Sequence, residues 1–170
     1  HNIEKLKDTN TFTVCTAHQP NIFTGYLYFV YKIIQAIKLA DELKAQFPGN
    51  HFVPVYYIGS EDNDLEELNH IFLHGEKLVW ETDQTGAVGR MHTDGIAALI
   101  RRMEGELSIL PEGKALIDLL DSCYNDSSTI QEATLKFVNG LFESYGLLVL
   151  IADDAGLKKE MNRVFEDDLF

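Results

Sequence analysis

Basic residues are scarce in this chain: 14 Lys and Arg stand against 27 Asp and Glu, a formal net charge of −13 over 170 residues. Nucleic-acid binding needs cationic patches that replace phosphate counterions, so that partner class is disfavoured. Anionic membrane surfaces are disfavoured for the same reason. A small anion is not, because helix N-termini and a few local cations can bind phosphate against the global field. Long hydrophobic runs are lacking too: residues 147–152 (LLVLIA) are far too few to span a bilayer. Residues 1–7 are polar and mixed in charge, unlike a secretory leader. The two cysteines, Cys15 and Cys123, have no CxxC or metal spacing and are expected to be reduced, buried thiols of a cytoplasmic protein. Neither GxGxxG nor GxxxxGK[ST] occurs, so the dinucleotide fingerprint and the P-loop are absent. No repeat, low-complexity tract or Pro/Gly-rich linker divides the chain, which predicts one domain. Its 45% hydrophobic content is enough for a real core. The chain opens inside an amphipathic stretch (Ile3, Leu6) and stops inside a helical pattern, which predicts a piece of a longer protein.

What is present alternates in period. Residues 12–17 (FTVCTA) read as a buried strand, and 26–47 carry apolar residues at threes and fours (Val30, Ile33, Ile34, Ile37, Ala40, Leu43), a long amphipathic helix stopped by Pro48-Gly49-Asn50. Residues 52–59 (FVPVYYIG) read as a second strand, with Pro54 better suited to its early part than to a central position. Residues 60–70 are acid-rich with a short helical look. Residues 71–73 and 77–82 read as a hairpin about His74-Gly75-Glu76, and 83–90 as loop. Helical spacing then returns over 93–107, 113–124 and 129–145, with Gly146 as a stop. Residues 147–151 form an apolar strand, and a last helix runs from Gly156 to the end. Strand–helix–strand, inserted helices, then strand–helix predicts an α/β fold. It is a Rossmann-like parallel sheet with helices on both faces and an inserted hairpin and helical segment at roughly 71–128.

In such sheets ligands bind beyond the carboxyl ends of strands. Three polar segments fall there: 18–25, 60–64 and Asp153-Asp154. In the first, Gln19 and Asn21 follow a strand, while Thr24 and Gly25 stand before a helix whose free amides favour a phosphate or carboxylate. His18 could donate a hydrogen bond or, if charged, stabilise an anionic transition state. Equally, His18 and Gln19 could cap strand and turn, with Thr24 as the helix cap. Glu61, Asp62, Asn63 and Asp64 could bind Mg2+ or a substrate ammonium, or form a solvated acidic helix start, the simpler reading. His70, two turns on, reads as structural on its own. Lys32, on the polar side of the long helix, is either a surface lysine or a reach toward a phosphate at the loop. Arg90 carries the same two readings. Asp153-Asp154 reads as a helix cap or a site, and His51, His74 and His92 as surface residues without ligand spacing.

The stretch Thr16-Ala17-His18-Gln19-Pro20-Asn21-Ile22-Phe23-Thr24-Gly25, with Leu27-Tyr28 and Tyr31-Lys32 after it, resembles the bacillithiol-biosynthesis cysteine-adding enzyme family. So does Val53-Pro54-Val55 through Ser60-Glu61-Asp62-Asn63-Asp64 to Glu67-Leu68-Asn69-His70. Residues 86–91 and 142–158 are similar more loosely. The resemblance implies a Rossmann-like catalytic core followed by a dimerising coiled coil that this chain does not include. It implies a cytoplasmic homodimeric ligase joining cysteine to glucosaminyl-malate. Likeness of that core to nucleotide-activating synthetases makes ATP with Mg2+ the candidate for carboxyl activation. Carried onto this sequence, the catalytic candidates are His18, Asp62 and Asp64. The substrate- or nucleotide-binding candidates are Gln19, Asn21, Thr24, Gly25, Lys32, Glu61, Asn63 and His70, and no resident metal ligands are expected. Many members carry Gly-Gln-Gln where Ala17-His18-Gln19 stand, Gly-Pro at Gly25-Tyr26, and Glu-Asp-His-Asp at residues 61–64. Asn63 cannot act as a general base as a histidine could, while His18 could supply a cationic donor that glutamine cannot. A nucleotidyl transferase on the same scaffold and a non-catalytic small-molecule-binding module are the alternatives.

Overall fold

The computed structural model describes residues 2–169. A short helix α1 (Asn2–Lys5) leads into β1 (Thr11–His18), α2 (Tyr28–Gln46), β2 (His51–Ile58) and the one-turn α3 (Leu65–Leu68). A hairpin, β3 (His70–Leu73) and β4 (Glu76–Val79), precedes α4 (Ile96–Leu107), α5 (Gly113–Asn125) and α6 (Ile130–Phe142). The chain returns to the sheet as β5 (Leu148–Ile151) and ends in α7 (Ala155–Glu160) and α8 (Asn162–Leu169). β1, β2 and β5 form a parallel sheet in the order β1-β2-β5, the Rossmann-like α/β arrangement expected.

β1 and β2 pair over their full length, from Thr11 opposite His51 to His18 opposite Ile58. β2 is therefore central despite Pro54. The ladder to β5 begins only at Val55 opposite Leu148, so a residue without an amide hydrogen precedes the doubly paired part of the strand. Alternation sends Tyr56 and Ile58 toward α2, where Phe29, Ile33 and Ile37 meet them, and α6 adds Val138 and Phe142. A second core gathers under the hairpin and α4–α6 around Leu78, Trp80, Met91, Ile100, Leu120 and Phe137. Adjacent residues of α6, Phe137 and Val138, thus face different interiors. α6 is started by a reciprocal cap: the Thr129 hydroxyl accepts the Glu132 amide and the Glu132 carboxylate accepts the Thr129 amide.

The hairpin turns on His74 and Gly75, both with positive φ as a two-residue type I′ turn requires. Trp80, just after β4, is buried and donates its indole N–H to the Asp94 carbonyl at 2.8 Å.

Several expectations shift. α2 starts at Tyr28, three residues past Gly25, and Leu27 precedes it without any side-chain cap, so Thr24 is not the helix cap. Gly25 lies at φ +57° with its amide donated to the Ile22 carbonyl, and a Cβ there would sit 2.6 Å from that of Asn21; a turn intervenes before the helix. α4 begins at Ile96 behind a left-handed Gly95, not at Thr93. The last helix breaks at Met161 into α7 and α8, and the expected end at Phe170 lies outside the described residues. Cys123 is buried as expected, but Cys15 is exposed. It points to the sheet face away from α2, with Val55 and Leu148. There, among the described residues, Ile3, Leu6 and the flank of α6 at Leu135 and Asn139 approach, leaving an apolar groove of about 540 Å3. Among the described residues no helix is long and apolar enough to cross a membrane.

Candidate active site at the carboxyl ends of the strands

β1 delivers His18 and Gln19 to the mouth of the sheet, and β2 delivers Gly59 through Asp62 beside them. Gly59 donates its amide to the His18 carbonyl at 2.8 Å, which extends the strand pairing one step past Ile58. The Gln19 side-chain amide then donates to Asp62 Oδ2 at 2.9 Å and reaches Glu67 Oε2 at 3.4 Å. Two segments about forty residues apart are joined by this contact. Gln19, Tyr57, Gly59, Ser60, Glu61 and Asp62 line a cleft of about 210 Å3, with Ala152 after β5 closing its far side.

The loop beneath the cleft is rigid, for reasons its side chains supply. Ile22 is fully buried and donates its amide to the Leu68 carbonyl, while Asn21 Nδ2 donates to the Glu67 carbonyl at 3.2 Å. Phe23 sits at φ +59°, strained for a non-glycine residue. Its amide donates to the Tyr124 hydroxyl at 2.7 Å, and the two rings meet edge to face. α5 therefore pins the loop from below. Asn21, only 2% exposed, faces this interior rather than the cleft, and Thr24 makes no side-chain hydrogen bond among the described residues.

His18 is buried between Tyr28 and Phe29, with ring centroids 4.9 and 5.6 Å away. Its Nδ1 accepts the Gln19 amide at 2.9 Å, which places the imidazole hydrogen on Nε2, and Nε2 is buried without a partner. Burial first, and then the nearby Lys32 ammonium, lower its pKa to about 4, against a smaller opposing pull from Asp62. His18 is thus a neutral donor at physiological pH. Of the two readings open for His18, hydrogen-bond donor or cation, the structure favours the neutral donor, since burial by two rings outweighs the single carboxylate.

The remaining candidates divide. Glu61 and Asp62 face the cleft, and Asp62 takes one hydrogen bond at each oxygen, Oδ2 from Gln19 and Oδ1 from the Asp64 amide at 2.9 Å, which leaves each a second acceptor site. Asp64 caps α3 through the Glu67 amide, and with the exposed Asn63 it borders a different depression, shared with Gln84 to Gly86. Lys32 donates to the Ala17 carbonyl at 3.2 Å and lies 5.8 Å over the Tyr28 ring, in a groove along β1 outside the cleft. His70 is buried; its Nε2 lies 3.3 Å from the Tyr26 hydroxyl and it stands edge-on to that ring. Glu61, Asp62 and Asp64 are each committed to different partners. Among the described residues no group of three or more His, Cys, Asp or Glu is placed to hold a metal.

Asp153 and Arg90, each open to two readings in the sequence, join the site, and so does Lys158, which spacing alone did not place there. Asp153, directly after Ala152, has a side chain only 6% exposed and accepts from Arg90 Nε and a terminal nitrogen at 2.5 and 2.7 Å. Lys158 of α7 bridges Asp153 and Glu61, at 2.6 Å from each. Hydrogen bonds from Arg90, joined by Lys158, hold the Asp153 carboxyl well below the usual carboxylate range. Asp154 caps α7 by accepting the Leu157 amide. Arg90 arrives because Val88 and Gly89 donate their amides to the Asp62 and Ser60 carbonyls, docking this turn onto the acidic one.

A three-stranded parallel sheet with a polar cleft at its carboxyl edge and inserted helices bracing the first loop defines a Rossmann-like α/β domain. The chain belongs to the bacillithiol biosynthesis BshC family: the model of that family's N-terminal Rossmann-like domain matches residues 1–170. It is 42% identical over 169 residues to the "Putative cysteine ligase BshC" of Cytophaga hutchinsonii, covering 99% of this chain and 30% of the relative. The relatives of that name from Flavobacterium johnsoniae and Geobacillus thermodenitrificans are 42% and 32% identical, over 93% and 97% of this chain and 30% and 32% of their own lengths. The chain spans about a third of the length of these curated relatives.

Proposed function

We propose that this chain carries the catalytic core of a cysteine ligase, adding cysteine to glucosaminyl-malate by amide-bond formation with an activated carboxyl. The observation that carries the reading is the 2.9 Å bond between Gln19 and Asp62, through which both motif-bearing segments meet at the mouth of the parallel sheet. The cysteine-ligase names of relatives at 40% identity and above support the same chemistry. An amine attacks only when neutral, so a carboxylate that holds and orients it is needed beside the reacting carbon; Asp62 fills that role, with Asp64 a positioning residue through the shared turn. The attack builds negative charge on the carbonyl oxygen, which fixed donors stabilise without reorganisation. The neutral Nε2–H of His18, next in sequence to Gln19 and without a partner, is the unspent donor at this strand end, while Gln19 spends its side-chain amide orienting Asp62. In this reading the full-length protein works in the cytoplasm as a homodimer on small-molecule substrates.

The test is His18→Ala and Asp62→Ala in the full-length protein, with cellular thiols profiled and the melting temperature of each variant measured. Folded variants are expected to lose bacillithiol and accumulate glucosaminyl-malate; normal thiol levels in both would remove the site assignment. Asn63, an exposed amide where a base could stand, favours the rival reading of a non-catalytic binding module. Retained ligand binding with no turnover by the unaltered full-length protein would establish that rival.

A further inference from the structure

Four charged side chains at the edge of the cleft are bound unequally. Asp153 is nearly buried, takes two hydrogen bonds from Arg90 and one from Lys158, and cannot leave without stranding its charge. Glu61 is the opposite case. Its side chain is 57% exposed, it sits on the turn after β2, and its contacts are one close bond to Lys158 and a looser 3.7 Å approach to Arg90. Exposed pairs of this kind contribute little and exchange readily with solvent ions. Arg90 commits two of its five N–H groups to Asp153, and Lys158 two of its three to Asp153 and Glu61, so both cations keep unspent donors. Glu61 also lines the 210 Å3 cleft, and its contacts to Lys158 and Arg90 bring the two cations next to that space.

We propose that Arg90 and Lys158, anchored by Asp153, form a carboxylate-binding clamp whose resting occupant is Glu61, and that a substrate carboxylate enters by displacing it. The clamp adds a carboxylate-recognising pair to the cleft and turns Glu61 from a substrate ligand into a gate. In a chain of net charge −13, an internal carboxylate held over Arg90 and Lys158 excludes weak anions. A ligand with two carboxylates gains more from Arg90 and Lys158 together than Glu61 does. Asp62 does not compete, because Gln19 and the Asp64 amide hold its carboxylate in place.

The inference rests on reading the cleft as the substrate site, yet its test does not need turnover. L-malate is titrated into the chain at low salt, following the Arg90 Nε–H resonance by NMR, for the unaltered protein, Glu61→Gln, Lys158→Met and the double variant. Glu61→Gln is expected to bind malate about fivefold more tightly, the scale of one weak ion pair. Lys158→Met and the double variant are expected to lose measurable binding while Arg90 keeps its Asp153 contact. Equal or weaker binding by Glu61→Gln, binding that survives Lys158→Met, or no binding by either the unaltered chain or Glu61→Gln overturns the clamp. Those results leave the ligase reading standing, and normal thiol levels in the His18 and Asp62 variants leave the clamp standing.

Discussion

His18 shows how a single side chain changes character when the fold closes over it. The unfolded chain protonates this imidazole as pH falls through about 6.5, whereas the folded one resists until about 4. Between those values the unfolded state holds more protons, so His18 makes stability fall with falling pH, by up to about 3 kcal/mol across the window. His18→Gln keeps a polar side chain but removes the titration. Urea denaturation at pH 7 and pH 4.5 should therefore show a flatter loss of stability in the variant; parallel profiles would mean that His18 is not held neutral. The position of His18 at a strand end is evident from its sequence neighbours. Its charge state is not, because that depends on Tyr28 and Phe29 closing on the ring from ten residues away.

Among the elements, the loop between β1 and α2 is the one whose conformation depends most on the rest of the molecule. Phe23 holds a left-handed backbone only because Tyr124, on α5, accepts its amide. Tyr124→Phe leaves that buried N–H without a partner and should cost about 1–3 kcal/mol in denaturant unfolding. Hydrogen exchange at the Phe23 amide should quicken well beyond that of the β2 amides. Uniform quickening throughout would show the hydroxyl to be a general rather than a local prop. Strands, hairpin and most helices are legible because a period of two or of three to four is written into neighbouring residues. The start of α2 is not: Tyr26 and Leu27 fit the apolar spacing, and only the Gly25 turn against Asn21 delays the helix to Tyr28. The cluster of Arg90, Asp153, Lys158 and Glu61 is still less visible, since its members approach across 63 and 97 residues and pair only after β5 lies beside β2.

At the scale of the whole molecule, the two cysteines report on different parts of the structure. Cys15 is exposed on the open face of the sheet, while Cys123 is buried in the core beneath the hairpin, where burial pushes its thiol pKa up. A thiol reagent should label one cysteine at once in native protein. The second should react only through the same transition that removes the sheet's circular dichroism. Earlier labelling of Cys123 would mark an independently opening subdomain. The expectation of a single transition comes from α6, whose Phe137 and Val138 serve opposite interiors. A helix in that position works like a party wall: neither room can be renovated without disturbing the other. Substitutions along it should be tolerated only on the narrow strip that looks outdoors, and any twist of that wall reaches the bracing beneath the Gln19 loop.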